Sequence, residues 1–373
     1  MEPNPDASDA DRSEVDRSDV DHAGAARSDV VVSEAELAAA SGARPRVFSG
    51  VQPSGDLHLG TYLGALRQWA QHQVERDNIF CVVDLHALTV PEDVDPSTLR
   101  AKSREVAALY LASGIDPESS IVFVQSHVRE HAELTWLLNC TTPLGWLYRM
   151  TQFKSKSEGR ESVSTGLLDY PVLQAADILL YDTDVVPVGE DQVQHVELTR
   201  DIAQRFNHLF GPVFRLPKAV VPKSGARVMG FDDPEVKMSK SYARVRDRHA
   251  VHLLDDETRI KKTVMSAVTD SGREVRFEHA GPGVRNLLSV LQSLTNEPMD
   301  AVEARFEGKG YGDLKKAALE AILATLRPIQ ERYREYAADP AELDAVLARG
   351  ADRAREQAAT TLARAKTALG VGT

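Results

Sequence analysis

Short β-branched runs separated by helical stretches constrain the fold of this chain more than any other feature. "RVFSGV" (46–51), "NIFCVVDLHAL" (78–88) and "SSIVFVQS" (119–126) are apolar runs bounded by polar or turn residues, the pattern of buried strands. Between them, "LGALRQWAQHQVER" and "STLRAKSREVAALYLASG" carry apolar residues at helical spacing. The order β-α-β-α-β implies a parallel sheet with right-handed crossovers, and such sheets bind ligands beyond the carboxyl ends of their strands. The loops after Val51 and Val83 are therefore the expected site. From about residue 245 the pattern is helical to the end, clearest in "DLKKAALEAILATLRPIQERYREYA" and "AELDAVLARGADRAREQAATTLARAKTAL". The expected fold class is α/β: a Rossmann-like parallel-sheet catalytic domain with a helical insertion over 46–245, followed by an α-helical C-terminal domain over 246–373.

Composition narrows the setting. The chain has 373 residues, 42% of them hydrophobic and 27% charged, as ordinary globular proteins do. It contains no apolar run long enough to span a membrane and no apolar segment near its acidic start, so the expected location is the cytoplasm. Only Cys81 and Cys140 occur, each within an apolar stretch, and both are expected in the core. Residues 1–46 hold eleven acidic residues against five arginines, which puts −6 of the total charge of −12 in this segment, with a loose DRS[ED]V repeat. So little apolar surface cannot offset the entropy of ordering, and 1–45 is expected to be an acidic disordered tail. The remainder is mildly acidic, so nucleic-acid binding requires a local basic patch.

Two short motifs suggest chemistry. "SGVQPSGDLHLGTYLGAL" follows the first strand and opens a helix, with Gly50, Gly55, Gly60 and Gly64 permitting close approach of a ligand to backbone N–H groups. It is neither a dinucleotide fingerprint nor a P-loop, and alone it says only that a phosphate fits. In "VKMSKS", Lys237 and Lys240 stand three residues apart among small residues. A lone pair of this kind is ordinarily a solvated helix surface.

Together, "PSGDLHLGT" and "KMSKS" resemble the two signature motifs of the class I aminoacyl-tRNA synthetases. "FSGVQPSG", "MTQFKSKS", "YPVLQAADILLYDTDVVPVGEDQVQHVELTRDIAQRFN", "GARVM", "SAVTDS", "EGKGYG" and "LRPIQERY" are similar to the bacterial tryptophanyl branch. The similarity covers roughly residues 46–370. It implies ATP-dependent activation of L-tryptophan and its transfer to tRNA(Trp) by a homodimer, with Mg²⁺ carried on ATP and no dedicated protein metal site. It also implies catalytic roles for His58, Lys156, Lys237 and Lys240, the lysines holding the leaving pyrophosphate. ATP contacts are implied for Gln52, Pro53, Ser54, Gly60, Thr61, Gly189, Glu190, Asp191, Val228, Met238, Ser239 and Ser241. Tyr170, Gln174 and Asp177 share one helix face at i, i+4 and i+7. Asp177 is implied to read the indole N–H, Tyr170 and Gln192 to orient the α-amino group, and Phe48, His86, Val186 and Val188 to pack around the ring.

Some residues depart from the family pattern. Gln174 stands where many tryptophanyl enzymes have Met, and Tyr-x3-Gln-x2-Asp also resembles the sibling tyrosyl-tRNA synthetases. Thr61 replaces the second polar residue of the first signature, and "SYARVRDRHA" lacks the usual Asp- and Asn-rich continuation. A tyrosine enzyme and a specialised tryptophan paralogue therefore stay open. The expected tRNA contacts are Lys309, Lys315, Lys316, Arg327, Arg332 and Arg334 on the helical part.

Overall fold

The computed structural model describes residues 30–33, 36, 44–221 and 227–372. Six parallel strands form one sheet: β1 (Val31–Val32), β2 (Arg46–Val51), β3 (Asp77–Val82), β4 (Ile121–Val124), β5 (Val185–Pro187) and β6 (Lys218–Val220). They lie in the order β1-β6-β5-β2-β3-β4. The order reverses at β2, which pairs with β3 on one side and β5 on the other. The crevice of such a sheet opens where the order reverses, so the loops after Val51 and after Pro187 face each other across it.

The sheet corrects three sequence expectations. The second strand stops at Val82 rather than running to Leu88, because its neighbours end there: Val82 pairs with Val51 and with Val124. Asp84–Ala87 instead forms a helical turn, and the Asp84 carboxylate accepts from the Ser126 N–H and hydroxyl. The acidic tail was drawn too long, since Val31–Val32 pair in parallel with β6 and Val30 is buried. This three-valine run is the one β-branched cluster in an otherwise polar segment, and averaging the composition concealed it; residues 1–29 lie outside the described residues. Cys81 is buried as expected, but Cys140 is exposed, one residue past the helix Glu130–Asn139.

Local packing fixes the carboxyl end of β2. The Tyr110 hydroxyl, from the helix Pro96–Ala112, accepts from the Val51 N–H at 2.9 Å and donates to the Cys81 carbonyl at 3.1 Å. Each such buried bond contributes about 1 kcal/mol. It locks the last residue of β2 against β3, where the ligand turn begins. A Cβ on Gly50 would come within 2.7 Å of the same Cys81 carbonyl, so the two strands approach closely here.

Residues from about 245 onward form helices Glu257–Met265, Pro282–Thr295, Met299–Ala304, Tyr311–Ala338 and Pro340–Leu369. They share a core with the first half: Leu63, Leu66, Val106 and Leu109 cluster with Leu287, Leu288, Ile322 and Leu326. The last helix spans both faces of the sheet. Leu343, Val346 and Leu347 join this cluster, while Ala351, Ala354, Ala358 and Leu362 join the cluster on the other side. Between these two sets Gly350 lies on the backbone of Val122 in β4, and a Cβ there would overlap the Val122 carbonyl. In a free helix Gly→Ala stabilises by roughly 1 kcal/mol. Here the overlap reverses the sign, and Gly350→Ala is expected to destabilise by about 1–3 kcal/mol, read as a lower thermal midpoint. An unchanged or raised midpoint would contradict this packing.

Candidate active site

Three loops meet over the crevice. The first follows β2 and carries Gln52, Pro53 and Ser54, ending at His58, which caps the helix beginning Leu59–Thr61. The second, Gly189–Gln192, follows β5. The third carries Lys237 to Ser241 and leads into the short helix Lys240–Val245, capped by the Ser239 hydroxyl. Side chains of the third loop reach both others. Lys240 Nζ donates to the Gln52 carbonyl at 2.8 Å, and Lys237 Nζ pairs with Asp191 at 3.2 Å. Burial pushes Lys240 down to about 8, with the nearby Arg244 adding to the effect. Burial alone would raise Asp191, but the Gln192 amide and Lys237 outweigh it and hold the carboxyl below its usual value.

His58 is buried, and that burial, with Lys240 and the neighbouring imidazoles and Lys237 adding to it, lowers its pKa to about 3. The ring is therefore neutral at pH 7. Its Nδ1 accepts from the Thr61 N–H at 3.2 Å, so the single ring proton sits on Nε2. Thr61 contributes this backbone contact whatever its side chain. A Cβ on Gly60 would press on the His58 ring at 3.1 Å, and Val228 packs beside it. Val228 also fixes the third loop, since its carbonyl accepts from the Met238 N–H at 3.0 Å and Met238 is buried. Gly225 and Ala226 of "GARVM" lie outside the described residues.

Two further residues hold the lysine loop. Met229 bridges to Lys237, and Asn286, from helix Pro282–Thr295, accepts from the Met229 N–H and donates to its carbonyl. The buried His249 ring lies 2.7 Å from Asp232 and 3.3 Å from the Lys237 carbonyl. Neither was identified from the sequence, since their partners are fixed only by the tertiary fold.

A second cluster lies under the helix Thr165–Leu179. Asp177 is fully buried, and its Oδ1 accepts from Gln125 Nε2 at 2.7 Å and His131 Nδ1 at 2.6 Å, while Oδ2 accepts from His86 Nε2 at 2.8 Å. Burial alone would raise its pKa, but the hydrogen bonds from His131 and His86 outweigh it and hold the carboxyl well below the usual range. A carboxylate has about four acceptor positions, and the described residues fill three, which leaves one on Oδ2. Tyr170 on the same helix face lies beside His86, with ring centroids 6.4 Å apart. Gln174, one turn on, is half-buried. Phe48 stacks on Tyr181 at 5.5 Å and shares a cluster with Val186, against which Val188 packs. Lys156 stands over the Tyr170 ring, its Nζ 5.2 Å from the centroid. Gln125, His131, Tyr181 and His195 were not identified from the sequence. Gln125 sits directly after β4, so the rule of ligands at carboxyl ends was the available signal for it.

Residues 40–327 match the family model for "tRNA synthetases class I (W and Y)". The chain is 50% identical over 329 residues to a tryptophan–tRNA ligase of Helicobacter pylori, covering 88% of this chain and 99% of that one. A tryptophan–tRNA ligase of Thermosynechococcus vestitus is 53% identical over 330 residues, with 87% and 99% covered. Among solved structures, the tryptophanyl-tRNA synthetase of Mycoplasma pneumoniae superposes with a TM-score of 0.81 at 37% identity, covering 88% of this chain and 99% of that one. The Campylobacter jejuni enzyme complexed with ADP and tryptophan gives 0.76 at 37% identity, covering 87% and 100%. With its parallel sheet, its two signature loops joined across the crevice and this length of shared sequence, the chain belongs to the class I tRNA synthetases of the tryptophan and tyrosine group.

Proposed function

We infer that this chain is a tryptophan–tRNA ligase, which activates L-tryptophan with ATP and transfers it to tRNA(Trp). The observation that carries this reading is the single free acceptor position on buried Asp177, beside a crevice lined by Lys237 and Lys240. An indole N–H has only a donor to offer, and that position accepts one. The relatives named above carry the same activity in their names.

In the first step a carboxylate oxygen of tryptophan attacks the α-phosphorus of ATP, and the bond to the β-phosphate bridging oxygen breaks. Pyrophosphate leaves with the electron pair and tryptophanyl-adenylate remains. No proton need be removed from the attacking carboxylate, so positioning and charge neutralisation supply the rate. Lys237, Lys240 and Lys156 hold the departing phosphates, and Ser239 and Ser241 add donors. The His58 Nε2–H donates to the α-phosphate, and Gln52, Pro53, Ser54, Gly60, Thr61, Met238 and Val228 enclose the nucleotide, with Gly189, Glu190 and Asp191 on its opposite side. ATP enters as its Mg²⁺ complex. Tyr170 and Gln192 take the α-ammonium, while Gln174, Phe48, His86, Val186 and Val188 surround the indole.

Transfer to tRNA falls to residues 246–373. Arg332 leaves the set of expected contacts because its Nε donates to the Ala112 carbonyl at 2.6 Å, and Arg327 is paired with Glu257 at 2.8 Å. By the same criterion Lys315 donates to the Met265 carbonyl at 3.5 Å and Lys316 pairs with Asp313 at 3.8 Å, which leaves Lys309 and Arg334 as the first contacts to test. No helix of the described residues is long and apolar enough to cross a membrane.

A homodimer fits the surface. Trp136, Leu144 and Tyr148, close together in sequence, are 69%, 56% and 51% exposed, an apolar group that a monomer would leave in water. Trp136→Glu is expected to shift the protein from dimer to monomer in sedimentation equilibrium; a wild-type protein that sediments as a monomer would refute this surface.

The deciding experiment is amino-acid-dependent exchange of labelled pyrophosphate into ATP. Exchange with tryptophan and not with tyrosine supports the assignment. Exchange with tyrosine moves the chain to the sibling enzyme, and no exchange with either refutes an activating function.

A further inference from the structure

We propose that His195 is a positioning residue for tryptophan activation: it accepts the Tyr170 O–H, so that the phenol oxygen meets the substrate's α-ammonium with lone pairs only. The proposal rests on the assignment of Tyr170 to the α-ammonium and adds the reason that a phenol can serve there.

A phenol carries one proton and two lone pairs, so its hydroxyl can face a cation either as a repelling donor or as an attracting acceptor. What decides is where the O–H points. His195 stands in the first turn of the helix Val193–Phe210, is 1% exposed, and holds its Nε2 2.8 Å from the Tyr170 hydroxyl. The rings lie 5.5 Å apart and tilted by 37°. The Lys156 ammonium stands over the Tyr170 ring, and the substrate ammonium would add a second cation. Both favour an O–H directed away from them, toward the imidazole.

This works only if Nε2 is free to accept. Burial and the Lys156 charge lower His195 to about 4, so the ring is neutral at pH 7 and one nitrogen is unprotonated. Nδ1 has no hydrogen-bond partner among the described residues, so no competing bond forces the proton onto Nε2. The cations facing the phenol, Lys156 and the substrate ammonium, select between the two tautomers: they favour the one in which Nδ1 carries the proton and Nε2 receives the phenol O–H. A protonated or missing ring would free the hydroxyl to turn its hydrogen toward the ammonium. His195 touches no reacting atom in this scheme and acts through Tyr170.

The test is a double-mutant cycle in the pyrophosphate exchange assay, reading KM for tryptophan and for ATP separately. His195→Phe is expected to raise KM for tryptophan about tenfold, the weight of one hydrogen bond to a charged group, with KM for ATP unchanged. His195→Gln, whose amide oxygen can accept the same O–H, is expected to recover most of that loss. In a Tyr170→Phe background, His195→Phe is expected to add nothing. Additive losses in the double variant, or a Gln variant as impaired as the Phe variant, would overturn the proposal. If Tyr170→Phe leaves KM for tryptophan unchanged, the pocket assignment of Tyr170 fails and His195 with it. If Tyr170→Phe raises KM and His195→Phe does not, only the His195 role fails. Should His195→Phe not fold, His195→Ala closes the same cycle.

Discussion

Replacing Asp177 with alanine is expected to lower kcat/KM for tryptophan by about 10³- to 10⁵-fold, the range seen when a site built around a buried hydrogen bond loses it. Two effects act together. The indole N–H loses its acceptor, and the Gln125, His131 and His86 donors that converge on the carboxylate lose theirs as well. Each buried donor left without a partner costs about 1–3 kcal/mol, set against a typical total stability of about 5–15 kcal/mol. The variant should therefore fold with a lower melting temperature while failing in exchange. Asp177→Asn separates the effects, since it keeps the shape but turns one acceptor into a donor facing donors. The pH dependence has a definite sign. Because the folded carboxyl is held below its ordinary value, its stabilisation is complete above the unfolded pKa near 4 and is lost as pH falls through the folded value. Acid unfolding of the Ala variant should accordingly be less steep in pH than that of the parent. Wild-type exchange with tryptophan in Asp177→Ala would end the pocket assignment.

Lys240→Ala is expected to reduce the activation rate by about 10²- to 10³-fold, the usual effect of removing one preorganised group from a developing charge. A second expectation comes from its environment. With the ammonium held at about 8, the free enzyme loses the charged form as pH rises past that value. kcat/KM for ATP should decline above pH 8 toward a tenfold fall per unit, a limb that an ordinary lysine would show only beyond pH 10. Lys240→Arg keeps the charge at every accessible pH and should remove the limb, at a lower plateau because a planar fork does not reproduce the ammonium's bond to the Gln52 carbonyl. A parent profile flat to pH 9.5, or the same limb in the Arg variant, would show that another group titrates.

The sequence revealed those parts of the fold that depend on local pattern. β3 and β4 are buried on both faces, so they appear as continuous apolar runs, whereas in β2 only Val47 and Phe48 are buried and its signal is the shorter "RVF" before a turn. β5 and β6 are three residues each, too short to show any pattern, and the crevice between β2 and β5 was therefore only half visible. The two signature motifs were legible through family resemblance, since the lysine spacing of the second alone fits a solvated surface and the glycine turn of the first says only that a phosphate fits. The partners of Asp177 were not: His86 and His131 lie 91 and 46 residues away, and nothing local to either marks it as a donor to that carboxylate. Asn286 and His249 escaped for the same reason. The three-valine run in the tail was visible but submerged in acidic composition.

The two edge strands of the sheet are treated differently. β1 lies beside β6, and the helix Pro340–Leu369 crosses β4 with Gly350 on its backbone. During synthesis, β4 thus emerges well before the segment that shields it, and an unshielded outer strand is a template for pairing with another chain. A ribosome that stalls or terminates near residue 340 would release a polypeptide whose sheet is open along β4. Loss of the helix Pro340–Leu369 should therefore show first as insolubility of the nascent product and a demand for chaperones, whatever becomes of tRNA binding.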